Sequence, residues 1–139
     1  MNTKQLAPIA LLNTLTLAIE PLHSKECNFI NSLAEADAIA SRVNHPAVQI
    51  LADVYHMAQD NEPPAQIEKY AARLCHVHVA DPVTRGAPVG DAAARVAPYL
   101  DALKRIGYAR GISIECGGTD TIAQWAKEAR NVIGTAGPR

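Results

Sequence analysis

The sequence is poor in aromatic residues and in clustered charge. It contains one Phe, one Trp and four Tyr among 139 residues, and its formal net charge is −1. A nucleic-acid surface needs clustered cations and usually stacking aromatic side chains. We therefore expect no nucleic-acid partner.

Cysteine is scarce, and long apolar runs are absent. The three cysteines, Cys27, Cys75 and Cys116, include no Cys-x-x-Cys pair, which argues against a zinc ribbon or a disulfide framework and favours reduced, buried thiols. No apolar run approaches the roughly 18–20 residues of a bilayer span. The N-terminal apolar stretch lacks a signal-peptide cleavage site. These features predict a soluble, cytoplasmic protein with no membrane partner.

What the sequence does contain is an alternation of short apolar runs with segments of helical periodicity. The apolar runs predict strands at 16–20, 48–53, 74–80 and 111–115. The other segments predict helices at 5–12, 32–43, 63–71, 91–106 and 121–133. Strand–helix alternation implies a parallel sheet with right-handed crossovers. The predicted fold class is therefore α/β, in a single domain over residues 1–139.

A polar residue able to bind a metal ion stands at or near the C-terminal end of every predicted strand. These residues are Glu20, Asp53, His78 and Glu115. Side chains alternate between the two faces of a strand, so each of them lies on the face opposite the aliphatic residues. In parallel α/β folds the carboxyl ends of the strands are where ligands bind. We therefore expect the four side chains to meet.

Three carboxylates that meet at one point repel one another unless a cation lies between them. A set of three oxygen ligands and one nitrogen suits Mn²⁺, Mg²⁺ or Co²⁺ better than a thiolate-bound zinc ion. The alternative for a single acid such as Glu20 is a buried structural salt bridge. The recurrence on four strands favours a divalent metal site.

Five segments carry a resemblance to a known family and cover nearly the whole chain in order: AIEPLHSKECNF (18–29), LADVYHM (51–57), HVHVAD (76–81) followed by Arg85, YLDALKRIGYARG (99–111) and ISIEC (112–116). With them the chain resembles the xylose isomerase-like TIM-barrel superfamily, and within it the ketose 3-epimerases and hydroxypyruvate isomerases. The resemblance implies that Glu20, Asp53, His78 and Glu115 bind the metal ion and that Glu20 and Glu115 are also the catalytic acid/base pair. It further implies that Glu26, His56 and Arg85 bind substrate oxygens.

The other histidines have ordinary expected roles. His76 lies one pleat below His78, where a hydrogen-bonded interior histidine is expected. His23 and His45 are expected to be solvated.

The function implied by the resemblance is divalent-metal-dependent isomerisation or epimerisation of a sugar or hydroxy-keto compound. A carboxylate removes the proton next to the carbonyl, which gives a cis-enediolate. Return of the proton to the same carbon from the opposite face gives epimerisation, and return to the adjacent carbon gives isomerisation. The alternatives are a sugar-acid or inosose dehydratase, a metal-dependent endonuclease of abasic DNA, and a non-catalytic fragment.

Four strands correspond to half of a TIM barrel, whose eight βα units typically need about 250 residues. The four match the family's strands five to eight, so the chain is expected to lack the N-terminal half of the barrel. A half-barrel has unpaired strand edges and an uncovered inner face. We therefore expect a homo-oligomer or a complementary half-barrel chain as the partner.

Overall fold

The computed structural model describes residues 2–117 and 122–134 as one parallel sheet with helices between successive strands. The strands are β1 (Leu17–Ile19), β2 (Val48–Asp53), β3 (Leu74–Val79) and β4 (Ile112–Ile114). The helices are α1 (Thr3–Leu12), α2 (Leu33–Val43), α3 (Val54–Gln59), α4 (Ala65–Lys69), α5 (Asp91–Arg105) and α6 (Ile122–Gly134). The strand order in the sheet is β1-β2-β3-β4. The predicted α/β class and the parallel sheet are thus confirmed.

Helix boundaries follow local capping chemistry. The Ser32 side chain accepts a hydrogen bond from the Glu35 N–H, while the Glu35 carboxylate accepts one from the Asn31 N–H at 2.6 Å. Ser32 and Glu35 together therefore cap the start of α2, with the return bond from Glu35 reaching Asn31, one residue before the cap. Helix α5 is followed by Gly107, whose φ of +63° is favourable for glycine.

The segment after β2 differs from the prediction. In place of one helix from Pro63, it forms α3 directly after the strand, then the short α4, then a single 3₁₀ turn over Ala71–Arg73. Asp53 starts α3 because its carboxylate accepts the His56 N–H at 3.1 Å. A residue expected only as a strand end is therefore also a helix cap.

The main core lies between one face of the sheet and the helices. Buried β-branched residues point to this face from β2 and β3, and α2 packs against β2. Val96, Leu100 and Leu103 of α5 belong to the same core cluster. These strand residues have the parity opposite to that of Asp53 and His78. The helix-covered face is therefore apolar and leaves the other face for polar side chains.

A bulge in β3 sets the register of the two central strands. Ile50 pairs with Leu74, but Leu51 pairs with His76, so that Cys75 has no partner in the ladder. Without this extra residue Asp53 would pair with Val77, which points to the core. The bulge instead places His78 beside Asp53.

The three cysteine thiols are free, as expected, but each is only partly buried. Among the helices within residues 2–117 and 122–134, none has both the length and the apolar character of a bilayer span.

Candidate active site at the carboxyl ends of the strands

The structure brings together the four polar strand-end residues that the sequence singled out. His78 Nδ1 lies 3.1 Å from Glu20 Oε1, 3.4 Å from Glu115 Oε2 and 3.7 Å from Asp53 Oδ2. One ligand-capable atom of each of the four side chains lies within 4.8 Å of the others. Glu20 and Glu115 each stand one residue beyond the strand that carries them.

Burial differs across this four-residue cluster. The Asp53 side chain is 2% exposed, whereas that of Glu115 is 49% exposed. Burial is the main cause that raises the pKa of Glu20. The nearby His78 opposes this shift, and repulsion from Asp53 and Glu115 adds to it. Burial also raises the pKa of Asp53, against the hydrogen bond from the His56 N–H. These carboxylates are therefore close enough to disfavour one another's charge.

The cluster is supported from below by His76. His76 Nε2 lies 2.7 Å from Ser113 Oγ, and the His76 and His78 rings make an edge-to-face contact at 5.3 Å. His76 is thus hydrogen-bonded, as the sequence predicted, but it is only partly buried. Its ring links β3 to β4 directly beneath the cluster.

Glu26 and Arg85 form an ion pair above the cluster. Arg85 Nη1 lies 3.1 Å from Glu26 Oε1, and Nη2 lies 3.7 Å from Glu115 Oε2. The guanidinium also lies over the Tyr55 ring, 5.0 Å from its centroid. Arg85 therefore connects Glu26 to the strand-end cluster.

The main chain holds Arg85 in place at both sides. Its N–H donates to Asp81 O at 3.0 Å, and its carbonyl accepts from the Gly117 N–H at 2.8 Å. Its φ is +57°, which is unusual for a residue other than glycine. The loop after β3 thus holds a strained residue at the site.

Asp81 organises this loop. Its carboxylate accepts hydrogen bonds from Thr84 Oγ1 at 2.7 Å and from the Val83 N–H at 3.2 Å. It also forms a bidentate pair with Arg95 of α5, at 2.7 and 3.0 Å. These contacts, the Arg95 pair first, hold the pKa of Asp81 well below its usual range. Sequence reasoning did not single out Asp81 or Arg95 as site residues.

We expect Asp81→Asn to lower the free energy of unfolding at pH 7 by about 1–2 kcal/mol, because it removes a charged bidentate pair whose Arg95 side remains partly exposed. A depressed folded-state pKa contributes stability above the unfolded value, near pH 4, and this contribution is lost at lower pH. The difference in the free energy of unfolding between wild type and Asp81→Asn should therefore become smaller as the pH falls below about 4. Urea unfolding at several pH values measures it.

Asp101→Asn is the matched control, because Asp101 is a residue of α5 whose side chain is 55% exposed. It should change the free energy of unfolding by less than about 0.5 kcal/mol. Equal effects of the two substitutions would contradict a structural role for Asp81.

His56 and His23 form a buried pair beside the cluster. His23 is 5% exposed and His56 is 3% exposed, and their Nδ1 atoms lie 2.8 Å apart. His56 Nε2 is buried and has no hydrogen-bond partner within the described residues. The expectation that His23 is solvated is wrong. In the segment after β1, its ring meets the Tyr55 ring edge to face and lies against the His56 ring.

Comparison with known proteins shows which family this chain matches. The family model described as xylose isomerase-like TIM barrel matches residues 2–135. A Streptomyces coelicolor protein provisionally named a hydroxypyruvate isomerase is 35% identical over 89 residues, which are 60% of this chain and 32% of that protein.

Solved structures show the same fold over half their length. D-psicose 3-epimerase from Clostridium cellulolyticum is 23% identical with a TM-score of 0.74, and the match covers 96% of this chain and 50% of that one. A family 2 AP endonuclease from Brucella melitensis is 26% identical with a TM-score of 0.73, covering 89% of this chain and 50% of that one. The chain thus spans half the length of these structures and about a third of the curated relative. It belongs to the xylose isomerase-like TIM barrel family.

Proposed function

We propose that this chain carries the metal-binding and acid/base residues of a sugar or hydroxy-keto isomerase or epimerase. The observation that carries the proposal is the convergence of Glu20, Asp53, His78 and Glu115 within 4.8 Å. The relative named as a hydroxypyruvate isomerase supports this chemistry.

The donor set of the cluster fits a divalent metal ion. Three carboxylates and one imidazole offer hard oxygen ligands with one nitrogen, which suits Mn²⁺, Mg²⁺ or Co²⁺. Glu20 and Asp53 both have raised pKa values, so their ionised forms lack full compensation from the protein alone. A cation bound by these four side chains would supply that compensation, and it would polarise the substrate carbonyl.

In this proposal Glu20 and Glu115 remove a proton from the substrate and return one to it. They come from the two outer strands of the four-stranded sheet, so their carboxylates approach the common point from different sides. One carboxylate takes the proton next to the carbonyl, which leaves an enediolate, and the other carboxylic acid returns a proton. Return to the same carbon from the opposite face inverts that carbon, and return to the neighbouring carbon moves the carbonyl.

Glu26, His56 and Arg85 would hold the substrate oxygens. Arg85 offers guanidinium donors next to Glu115, and Glu26 offers an acceptor beside it. His56 has a buried ring nitrogen with no partner among the described residues. Buried polar groups are nearly always hydrogen-bonded, so this atom is suited to a substrate hydroxyl or carbonyl.

The same proposal includes a partner that completes the barrel, either a second copy of this chain or a complementary half-barrel chain. The sheet ends at β1 and β4, and apolar side chains are exposed near both edges. Leu12 is 85% exposed at the end of α1, and Ile122 is 70% exposed at the start of α6. Next to β4, an open groove of about 410 Å³ is lined by Ile112, Ile114, Ile122 and Trp125.

We expect Leu12→Asp to weaken self-association of the chain by about tenfold, because it replaces an exposed apolar side chain at the end of α1, the helix that precedes β1, with a charged one. Sedimentation equilibrium measures the change in dissociation constant. The control is Ser41→Asp on the exposed side of α2, which should leave association unchanged. A monomer at all concentrations would favour a separate half-barrel chain as the partner.

The experiment that tests the function is incubation with Mn²⁺ and a panel of substrates, including hydroxypyruvate and D-fructose, in D₂O. We expect deuterium to enter the carbon next to the carbonyl, as NMR or mass spectrometry would detect. Product that forms with the loss of water would favour the dehydratase alternative. Absence of exchange for every substrate, in the presence of bound metal and an assembled partner, would favour the non-catalytic alternative.

A further inference from the structure

His23 makes two hydrogen-bonding contacts with a single atom of His56. The His23 main-chain N–H points to His56 Nδ1 at 3.3 Å, and His23 Nδ1 lies 2.8 Å from the same His56 Nδ1. The ring planes are inclined by only 27° and the centroids lie 5.0 Å apart, so the two Nδ1 atoms face each other along the line between the rings. Both side chains are more than nine-tenths buried.

The main-chain contact determines where the hydrogen of His56 lies. A main-chain N–H can only donate, so His56 Nδ1 must be the acceptor and carry no hydrogen. An imidazolium carries a hydrogen on both ring nitrogens, so an accepting Nδ1 means that the His56 ring is neutral. A neutral imidazole has one ring hydrogen, and that hydrogen must then be on Nε2. His23 Nδ1 is in turn the donor in the 2.8 Å contact.

The remaining nitrogen of His56 is the buried atom without a partner among the described residues, Nε2. With the hydrogen on Nε2, this atom is a donor that lacks an acceptor. A buried donor without an acceptor is destabilising, because its lost hydrogen bonds to water are not replaced. A ligand oxygen at this point would remove that destabilisation.

We infer that His23 is a positioning residue that fixes His56 as the Nε2–H tautomer, so that His56 donates a hydrogen bond to a substrate oxygen. The first half of this inference rests on the hydrogen bonds alone. The second half rests on the proposed function, since it takes the ligand to be the sugar or hydroxy-keto substrate. His23 itself acts only through His56.

A metal ion held by His23, His56 and Glu26 is the competing interpretation, because atoms of these three side chains also lie within 4.8 Å of one another. Two nitrogens bound to one ion at about 2.1 Å lie roughly 3.0–3.4 Å apart. The observed 2.8 Å separation is instead a hydrogen-bond distance. Glu26 Oε1 is also paired with Arg85 Nη1 at 3.1 Å, which brings a positive charge next to this position. The geometry therefore favours the hydrogen-bonded pair.

The test is NMR of the full chain labelled with ¹⁵N-histidine, without added metal or substrate, at pH 7.5. We expect His56 to show an unprotonated Nδ1 and a protonated Nε2. His23→Leu removes the ring donor and leaves the weaker main-chain contact, so the population with a hydrogen on Nδ1 should rise several-fold. His23→Asn retains an amide donor in place of Nδ1 and should preserve the wild-type tautomer.

A wild-type spectrum with the hydrogen on His56 Nδ1 would overturn the inference. This result comes from wild type alone, so it does not depend on whether a variant folds. A zinc titration that shifts both His23 and His56 at one equivalent, with Asp53→Asn present to weaken the other cluster, would establish the metal interpretation instead. Both results are independent of any activity.

The substrate half is tested in the D₂O exchange assay with hydroxypyruvate. We expect His23→Leu to raise KM about three- to tenfold, the effect of one weakened hydrogen bond, and His23→Asn to restore it. An unchanged KM in His23→Leu, with the tautomer shifted, would overturn the role of His56 toward substrate. If wild type exchanges no deuterium with any substrate, the proposed function fails while the tautomer is still read from the spectrum.

Discussion

Glu20→Gln is expected to lower the rate of deuterium exchange into substrate by about 10²- to 10⁴-fold, the range that positioned general acid–base groups contribute. Glutamine retains the size of the side chain and its contact with His78, but it cannot take a proton. Glu115→Gln should have an effect of the same order, because the proposed reaction uses one carboxylate to remove the proton and the other to return it. The exchange rate is measured by NMR at saturating Mn²⁺, so that weakened metal binding does not account for the loss.

Glu68→Gln provides the matched control for both substitutions. Glu68 is paired with Arg105, and both side chains are exposed at the protein surface. The rate of deuterium exchange into substrate in Glu68→Gln should stay within about a factor of two of the wild-type rate. A Glu20→Gln variant with a wild-type exchange rate would remove this residue from the acid/base role.

Asp53→Asn is expected to weaken Mn²⁺ binding by more than the roughly 10- to 100-fold that loss of an outer hydrogen-bonding partner costs a metal site. Asp53 is the most buried carboxylate of the cluster, and it lies within 3.7 Å of His78 Nδ1. Asparagine can still accept the His56 N–H at the start of α3, so the helix cap is retained while the charge is lost. Titration calorimetry with Mn²⁺ measures the change in affinity.

Thermal unfolding gives an independent measure of the same prediction. A metal ion at 100 times its dissociation constant should stabilise wild type by about 2.7 kcal/mol, and the same concentration should stabilise Asp53→Asn far less. Asp101→Asn should keep the full stabilisation. Equal stabilisation of all three proteins would show that Mn²⁺ binds elsewhere.

The sequence was sufficient to predict the strands and the residues that meet at their ends. Alternation along β2 separates Asp53 from Ile50 and Ala52, and the same alternation along β3 separates His78 from Val77 and Val79. Since parallel strands end on the same side of the sheet, parity alone was enough to bring these side chains to one face. The metal site was predicted from the residue types and their recurrence, and the acid/base and substrate roles came from the family resemblance.

The register between the strands could not be predicted in this way. Parity states which face a side chain occupies, but the bulge at Cys75 is what sets His78 directly beside Asp53. A bulge depends on the fit of two strands and their covering helices, and nothing in LCHVHV marks it. The position of the short α3 was missed for a related reason, since Asp53 has the roles of strand end and helix cap together.

The burial of His23 was the clearest failure of sequence reasoning. His23 lies in a polar segment, PLHSKE, which is typical of an exposed turn. Its burial depends on His56, 33 residues away in the chain, and on Tyr55, whose ring meets it edge to face. Such a contact between a loop and a distant helix has no local sequence signal. The Asp81–Arg95 pair escaped notice because it likewise joins a loop to the following helix.

The central claim is that Glu20, Asp53, His78 and Glu115 bind one divalent ion. Pulsed electron paramagnetic resonance of the Mn²⁺-loaded chain, labelled with ¹⁵N-histidine, tests it most directly. The account predicts one bound Mn²⁺ with a single coordinated imidazole nitrogen, whose coupling disappears in His78→Gln. Binding with no histidine coupling, or coupling that persists without His78, would contradict it.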